Sequence, residues 1–529
     1  MPHVTGEERN QLFMISMEEM VPKDSFVRAI DSFVDAIDMK SFGFAHVQCK
    51  EEGRPSYHPS ILLKLYLYGY HYGIRTSRKL EREAALNLEA MWLTCCQSPK
   101  YKTIADFRKN HSKAFRLVFR SFIRLLKEWD LVDGKTIAVD SFKIRAQNSL
   151  KNNLNQAKID RHLAYIDHKV SEYELQLDQC DREEDQQELL TKIELQKQRK
   201  EGYQEVEHQL KTTGEEQVSL TDPDSRSVVF QRNSVQVGYN VQASIDSKNK
   251  LLVEYETGDV NDSHALAQMA IATKELLQVE QMDVLADKGY HTGGELMECE
   301  KENITTYVSP RAPSTNDNGL YPVTSFVYNP EEDNYTCPAG ETLTTTNVWY
   351  SHKNPGNKPP LRFRRYTTTA CKSCTRRDKC TKQKLNGRSI DRSEYARSME
   401  RNNARVMANP NYYRQRQQLA EHPFGTLKRQ RGFIFTLMKG KEKVLGEVGL
   451  EFIGYNLTRC VSILGFIELC KALKKCAFNI LNLVERSFLG LFRLLSFKND
   501  KMQIDQDKEI ISSYSLENDF VKLYLSVQF

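Results

Sequence analysis

The sequence lacks an apolar run long enough to cross a membrane. A membrane-spanning helix needs about 20 mostly apolar residues. The best candidate, FIELCKALKKCAFNILNLVERSFLGLFRLL near the end of the chain, is interrupted by lysine, glutamate and arginine. The first residues, MPHVTGEERNQLF, also lack the charged and then apolar order of a signal peptide. We therefore expect a cytoplasmic protein that does not associate with membranes.

A strong excess of one charge is missing as well. The chain has 75 Lys and Arg against 70 Asp and Glu, a formal net charge of +5 over 529 residues. This balance alone does not demand a nucleic-acid partner, so the distribution of charge matters more. The length suffices for about three or four domains. In a cytoplasmic protein, the 12 cysteines are expected to be thiols or metal ligands rather than disulfides.

Two segments outside the expected core have sequence patterns that predict helices. Residues 1–130 contain GRPSYHPSILLKLYLYGYHYGIRTSRKLE, with a helix start at Pro59, and are rich in Arg and Lys. Such a helical domain suits DNA phosphates, although an ordinary solvated domain has the same pattern. Residues 150–215 place apolar residues from Ile159 to Leu177 at alternating spacings of four and three, which predicts a helical hairpin or coiled-coil insertion. The hairpin has no chemistry of its own and could serve in dimerisation.

Two apolar segments predict strands that end on an aspartate. Asp140 follows the apolar residues of GKTIAVDSFKIR, and Asp287 follows those of DVLADKGYH. An aspartate resists burial unless it is paired or holds a metal, and sites in α/β folds lie at strand ends. The strands and helices of residues 131–149 and 216–310 follow the order of a mixed α/β sheet. For either residue alone, a turn or helix cap is the simpler interpretation.

A third carboxylate, Glu421, lies among cations in NYYRQRQQLAEHPFGTLKRQRGF. Residues 396–460 predict a core helix, and on a continuous helix Arg414, Glu421 and Lys428 share one face. Pro423 is expected to kink this helix or begin a new turn. Two aspartates and one glutamate can hold two divalent ions, Mg²⁺ or Mn²⁺, for phosphodiester cleavage. The alternative is a set of surface acids with an Arg–Glu pair on the helix.

The segments VDSFKI, VLADKGYH and EHPFGTLKRQRGF together resemble the DDE transposases of bacterial insertion sequences, which have an RNase H-like catalytic core. The resemblance implies that Asp140, Asp287 and Glu421 are the catalytic and metal-binding residues. Lys428 matches the family's Glu-x6-Lys spacing and would contact transposon-end DNA. Tyr413 and Arg416 match part of the family's Tyr–Arg–Glu signature, but four residues rather than three separate Arg416 from the glutamate. The full set of DNA-binding residues expected on this basis is Arg414, Arg416, Lys428, Arg429, Lys288 and Tyr290.

The patterns of residues 150–215 and 311–395 predict a helical-hairpin insertion and a Cys-containing loop/β insertion. The same resemblance implies that the chain has an α/β fold with an RNase H-like mixed sheet and an all-helical N-terminal domain. It implies a nucleoid-associated enzyme that cleaves at insertion-sequence ends and transfers the 3′ hydroxyl to target DNA. Its partners would be double-stranded DNA, namely terminal inverted repeats and target, bound by a dimer or larger assembly. The alternatives are a metal-dependent nuclease of the same fold and a non-catalytic DNA-binding descendant.

Four cysteines lie in the loop-rich segment 311–395. Cys371-x2-Cys374-x5-Cys380 follows Cys337 of YTCPAG, among several Lys and Arg residues. Four thiolates suit one tetrahedral Zn²⁺, and the alternative is a set of unliganded, reduced thiols. The remaining residues, 461–529, predict a helical tail.

Overall fold

The computed structural model describes residues 10–11, 14–48, 52, 55–180, 182–230, 234–311, 319–352, 360–383 and 386–476. The part of the predicted helical tail that follows residue 476 lies outside the described residues.

The N-terminal segment folds into helices. Pro59 occupies the first turn of the third helix, where its missing N–H costs nothing, and the side chain of His58 accepts a hydrogen bond from the Ser60 N–H. Nearly every side chain of this helix is buried, so it is the centre of the helical layer. The helices are α1 (Met17–Met20), α2 (Phe26–Asp35), α3 (Pro59–His71), α4 (Ser77–Leu86), α5 (Leu88–Leu93), α6 (Tyr101–Asn110) and α7 (Ser112–Glu128).

The largest sheet among the described residues is mixed and has six strands. Its strands are β1 (Thr136–Arg145), β4 (Arg226–Val229), β5 (Val235–Asp246), β6 (Leu252–Gly258), β7 (Met282–Ala286) and β8 (Ile304–Val308). β1 pairs with β5 in antiparallel orientation and with β7 in parallel orientation, and β7 pairs with β8 in parallel orientation. β4 and β6 both pair with β5, along different parts of its length. The helices α10 (Leu266–Leu277) and α11 (Gly293–Lys301) connect β6 to β7 and β7 to β8.

The strand that carries Asp140 is longer than the sequence suggests. The prediction that a strand ends at Asp140 is wrong, because β1 continues to Arg145 and stays paired with β5 over residues 137–145. Phe142 and Ile144, beyond Asp140, are both buried, so the strand changes from a continuous apolar run to alternation. Asp287 follows the end of β7, as predicted.

Residues 150–215 form the predicted hairpin of two helices. α8 (Gln156–Asp178) and α9 (Glu183–Thr213) pack against each other, and the short strands β2 (Asn153–Leu154) and β3 (Val218–Ser219) close the base. A small cluster of buried residues holds this base together: Leu154, Ile159, Leu210 and Val218.

The Cys-containing segment is mostly β-structure. Five strands form a second, antiparallel sheet: β9 (Val327–Asn329), β10 (Asn334–Thr336), β11 (Thr342–His352), β12 (Leu361–Thr367) and β13 (Ile390–Ser393). Its core is small and consists of Phe326, Tyr335, Leu343, Tyr366 and Ile390. We call this unit the cysteine module.

The last described elements are helical. They are α12 (Ala396–Ala408), α13 (Pro410–Gly425), a π-helical turn (Thr426–Gln430), α14 (Lys441–Leu464) and α15 (Phe466–Lys474). α14 is largely buried and packs against α3, α7 and β6, so it joins the N-terminal helices to the sheet. Within the described ranges, no single helix could span a membrane; α14 and α15 together reach the required length and composition, but a bend of 115° separates them.

Candidate active site at the sheet edge

The parallel pairing of β1 and β7 brings Asp140 and Asp287 to the same place. The last paired residues are Ala138 and Leu285, and each aspartate lies two residues further along its strand. Asp140 Oδ1 accepts a hydrogen bond of 2.8 Å from the Ser141 N–H, and Asp287 Oδ1 accepts one of 2.7 Å from the Gly289 N–H. The sheet therefore presents two carboxylates side by side at the edge where α/β folds hold their sites.

At Gly289 the backbone passes close to the Asp287 carboxylate. A Cβ on Gly289 would stand 2.9 Å from Asp287 Oδ1 and 3.6 Å from Asp262 Oδ2. Any side chain at this position would collide with the first oxygen. The same geometry shows that Asp262, from the loop between β6 and α10, is a neighbour of Asp287.

Asp262 is a site residue that sequence reasoning missed. Its Oδ1 accepts hydrogen bonds from Asn240 Nδ2 at 2.8 Å and from Gln242 Nε2 at 2.7 Å. Both amides are buried on β5, and Gln242 Oε1 in turn accepts a hydrogen bond from the Tyr290 hydroxyl. The available signal was the pair of amides at alternate positions of the apolar strand VGYNVQASI, because buried amides need partners.

The three aspartates form a concentrated negative site. Burial raises the pKa of Asp140 to about 6; Arg416 and the Ser141 N–H oppose this effect, while Asp287 and Asp262 add to it. Arg416 Nη1 donates to Asp140 Oδ2 at 3.2 Å, and it is the cation that acts most strongly on Asp140. Like charges held this close favour the binding of a cation, since a cation relieves their repulsion.

Helix α13 runs along β1 and carries Arg416 to Asp140. The Tyr412 hydroxyl at its start contacts Thr136 Oγ1 at 2.7 Å, and the ring of Phe424 near its end lies 5.1 Å from that of Phe142. Glu421, on the same helix, is exposed to solvent, and its Oε1 accepts a hydrogen bond of 2.8 Å from Gln417. The structure thus brings Asp140, Asp287, Asp262 and Arg416 together and leaves Glu421 on the outer face of the helix.

The helix that carries Glu421 does not continue regularly to Lys428. Pro423 lies inside α13, and a π-helical turn follows at Thr426–Gln430. Proline removes a backbone donor, and a π turn contains more residues than an α turn. The predicted common face of Arg414, Glu421 and Lys428 is therefore interrupted: Lys428 is half-buried, with Nζ 5.8 Å from the Phe142 ring centre. Burial lowers the pKa of Lys428, and nearby Asp140 partly offsets this.

The remaining residues predicted to bind DNA differ in accessibility. Arg414, Arg429 and Lys288 are exposed, so each can reach a phosphate. Tyr290 is fully buried and donates its hydroxyl hydrogen to Gln242. A direct DNA contact by Tyr290 is therefore excluded in this structure, and its role is to support the amide that holds Asp262.

The oxygen atoms at this edge are of the type that Mg²⁺ and Mn²⁺ prefer. Asn240 Oδ1, a buried amide oxygen on the strand next to β1, has no hydrogen-bond partner within the described part of the chain. Among the described residues, however, no three His, Cys, Asp or Glu side chains are already arranged to hold a metal ion. The joint site of Asp140, Asp287 and Glu421 thus stays a prediction.

Comparison with protein families gives two matches. Residues 15–110 match a family described as "Transposase domain (DUF772)", and residues 336–461 match "Transposase DDE domain". Two segments of the chain thus match transposase domains. They confirm the resemblance to DDE transposases and indicate a DNA transposase with nuclease or transposition chemistry. The first transposase domain covers most of the N-terminal helices, and the second covers most of the cysteine module, α12, α13 and most of α14.

Asp140, Asp262 and Asp287 lie outside both matched ranges, whereas Glu421 and Lys428 lie inside the second. A comparison with curated proteins finds no match. Among solved structures, a cryo-EM structure of a piggyBac transposase synaptic complex with hairpin DNA is similar at a TM-score of 0.30 and 10% identity, over 93% of this chain and 88% of that one. A TM-score this low does not establish a shared fold.

Proposed function

We propose that this protein is the DNA transposase of a bacterial insertion sequence, with an RNase H-like catalytic core. The observation that carries the proposal is the pair Asp140 and Asp287, brought side by side by the parallel pairing of β1 and β7. A sheet with three antiparallel strands, β6, β5 and β1, followed by the parallel strands β7 and β8, supports the RNase H-like assignment.

Asp140, Asp287 and Glu421 are the proposed metal-binding residues, and Asp262 adds a fourth carboxylate beside the two aspartates. The fit rests on the donor set, which consists of hard oxygen atoms concentrated in one place. Bound divalent ions would supply Lewis acidity and help to generate a nucleophile for phosphodiester chemistry. The buried amides of Asn240 and Gln242 fix the orientation of Asp262 before any ion binds.

The cations around the site are proposed to hold DNA. Arg414, Lys288 and Arg429 are exposed and can pair with phosphate oxygens. Arg416 has a second role in this structure because it neutralises part of the charge on Asp140. Lys428 lies further along β1, over Phe142, and would contact the DNA end from there.

The proposed reaction has two displacement steps at phosphorus. Water first attacks the phosphodiester at the element's end, so that a new P–O bond forms and the 3′ oxygen leaves as a hydroxyl after gaining a proton. That 3′ hydroxyl then attacks a target phosphodiester and releases a target 3′ hydroxyl. Neither step requires a covalent bond to the protein. The carboxylates and cations position the reacting phosphate, which is a major contribution to phosphoryl transfer.

The division of the chain follows from this proposal. Residues 1–130 form a DNA-binding domain, and residues 131–149, 216–310 and 396–460 form the catalytic core. Residues 150–215 and 311–395 are insertions into that core, and 461–529 form a tail. Pairing of two element ends would require a dimer or larger assembly on DNA.

A strand-transfer assay tests the proposal. Precut element-end DNA and a supercoiled plasmid are incubated with the protein and Mg²⁺ or Mn²⁺, and joined products are measured. We expect joining by the wild type, a loss of at least about 100-fold in Asp140→Asn and Asp287→Asn, and little change in Glu188→Gln on the exposed hairpin. Cleavage without joining would identify a nuclease of the same fold. DNA binding with neither reaction would identify a non-catalytic descendant.

A further inference from the structure

The cysteine module has a core that is small for an independent folding unit. Five residues form the described cluster, with Cys337 and Cys380 packed against it from the side. Domains with little apolar core usually need a disulfide, a metal or a partner for stability. The four cysteines of this module are free thiols and none is fully buried. The cysteine module is therefore expected to need further stabilisation, and its four thiols could provide this by binding a metal ion.

Cys337 lies in a tight turn after β10. Its N–H donates to Glu341 O at 2.9 Å, and its carbonyl accepts from the Gly340 N–H at 2.9 Å. The Ala339 N–H points at Cys337 Sγ at 3.3 Å. Thiolates that bind metals commonly accept such outer hydrogen bonds, which fix the direction of the sulfur. The turn thus presents this sulfur in a defined orientation.

The other three cysteines lie in a compact segment between β12 and β13. Cys371 and Cys380 are placed by two short 3₁₀ turns, with Cys374 between them. Arg376 Nη1 donates to Pro338 O at 2.7 Å, and this bond ties the segment to the Cys337 turn. The two stretches that supply the cysteines are therefore held together without a disulfide.

All four thiols line one cavity. Its volume is about 20 Å³, which is enough for little more than one water-sized sphere. The residues that border it include Cys337, Cys371, Cys374 and Cys380. The four cysteines therefore border one shared space, although they come from two separate stretches of the chain.

Gly387 shows how closely the chain surrounds this cavity. A Cβ at Gly387 would stand 2.4 Å from Cys371 Cβ and 2.9 Å from its sulfur. In the described part of the chain, no three of these thiols are already arranged to hold a metal ion. All four nevertheless border the same small cavity, so binding an ion would require their side chains to move towards it.

We propose that Cys337, Cys371, Cys374 and Cys380 bind one structural Zn²⁺ as a tetrahedral tetrathiolate. Four thiolates and Zn²⁺ carry a net charge of −2, and Arg376, Arg377 and Arg388 border the cavity and compensate it. The ion joins the β10–β11 turn to the segment between β12 and β13. This site is separate from the sheet edge and does not depend on the chemistry proposed there.

Metal analysis of the full-length protein tests this proposal. The protein is purified with reductant and zinc, dialysed, and analysed by mass spectrometry for zinc and iron. We expect about one zinc per chain, released by about four equivalents of a mercurial reagent. Replacing zinc with Co²⁺ should give the visible and charge-transfer absorption of a tetrahedral thiolate site. Substoichiometric zinc, an iron chromophore, or a disulfide among these cysteines in the non-reduced protein would each overturn the proposal.

Variants locate the ion. Cys374→Ser should lose the zinc, whereas Cys180→Ser, in the turn of the helical hairpin, should keep it. Asp140→Asn should keep the zinc while it loses strand transfer, so a failure of this proposal is distinguishable from a failure of the catalytic one. Full zinc content in Cys374→Ser would contradict the assignment.

Because Cys374→Ser could lose zinc by misfolding, a second measurement uses wild-type protein. Removal of zinc with the mercurial reagent should open protease sites within residues 319–395 and leave the N-terminal helices protected. Equal protease resistance before and after zinc removal would refute a structural role for the ion.

Discussion

The buried ion pair between Arg431 and Glu451 allows a quantitative test of how the segment that follows α13 is held in place. Arg431 follows the π-helical turn, and its Nη1 lies 3.3 Å from Glu451 Oε1 on α14, with the two side chains 4% and 0% exposed. Glu451 Oε2 has no hydrogen-bond partner in the described part of the chain. Arg431 also donates to Gly454 O and Thr458 Oγ1. Arg431→Met would leave the Glu451 carboxylate buried and without its paired cation, with Arg75 as the remaining nearby positive charge.

The expected cost is large because the remaining charge cannot reach water. Loss of one partner of a buried pair costs about 3–5 kcal/mol. Burial already raises the pKa of Glu451 to about 7, against the opposing effect of Arg431, and removing Arg431 would raise it further. The native state then binds a proton at a pH where the unfolded state does not, so stability falls as pH rises. The deficit of Arg431→Met should be about 1 kcal/mol larger at pH 8 than at pH 6.

Urea unfolding followed by circular dichroism measures this effect. The double variant Arg431→Met, Glu451→Leu should recover most of the loss, because an apolar pair of similar volume replaces the charges without a desolvation penalty. Lys471→Met, which breaks an exposed pair with Glu468 at 2.9 Å, should change little. A loss below about 1 kcal/mol in the single variant, or a double variant less stable than the single one, would refute the reasoning.

Three further predictions concern the sheet edge, and Mn²⁺ affinity measured by calorimetry or electron paramagnetic resonance checks each of them. Arg416→Gln should raise the affinity by up to about five-fold, because it removes a competing cation from Asp140; unchanged affinity would contradict a competition. Asp262→Asn, which can still accept both amide hydrogen bonds, should lower the affinity by about ten-fold, and an unaltered value would remove Asp262 from the site. Glu421→Gln should have little effect without DNA and a clear one when element-end DNA is bound; an equal loss in both conditions would show that Glu421 is a ligand from the start.

Much of the fold could be predicted because local patterns and tertiary structure agree. β7 ends before Asp287, α3 begins at Pro59 and the hairpin helices break near residue 180, as their apolar spacing and turn residues predict. Asp140 was harder to place. The apolar run ends there, but β1 continues because β5 pairs with it to Arg145, and that partner lies about a hundred residues away in sequence.

The missed parts of the candidate site depend on contacts between distant segments. Asp262 lies in a sequence, NDSH, that is typical of a turn, and its importance becomes visible when Asn240 and Gln242 reach it from β5. The contact between Arg416 and Asp140 spans 276 positions. The spacing of a motif can indicate which residue types a reaction needs. It does not predict that the side chain of Arg416 pairs with the carboxylate of Asp140.

The π-helical turn offers a physical reason why Glu421 lies on the outer face of α13 while Arg416 of the same helix contacts Asp140. Arg416 faces Asp140, and Ala420, one turn later, is buried; the next residue, Glu421, is rotated by roughly 100° to the outside. A change of one residue in helical register, the amount by which a π turn differs from an α turn, would carry Glu421 to the inner face. α14 is fixed to the N-terminal helices by the buried pair Arg75–Glu447. Such a change would therefore be absorbed between α13 and Arg431. If the proposed function holds, DNA bound by the neighbouring cations would be in a position to favour it, and completion of the proposed metal site would then depend on substrate.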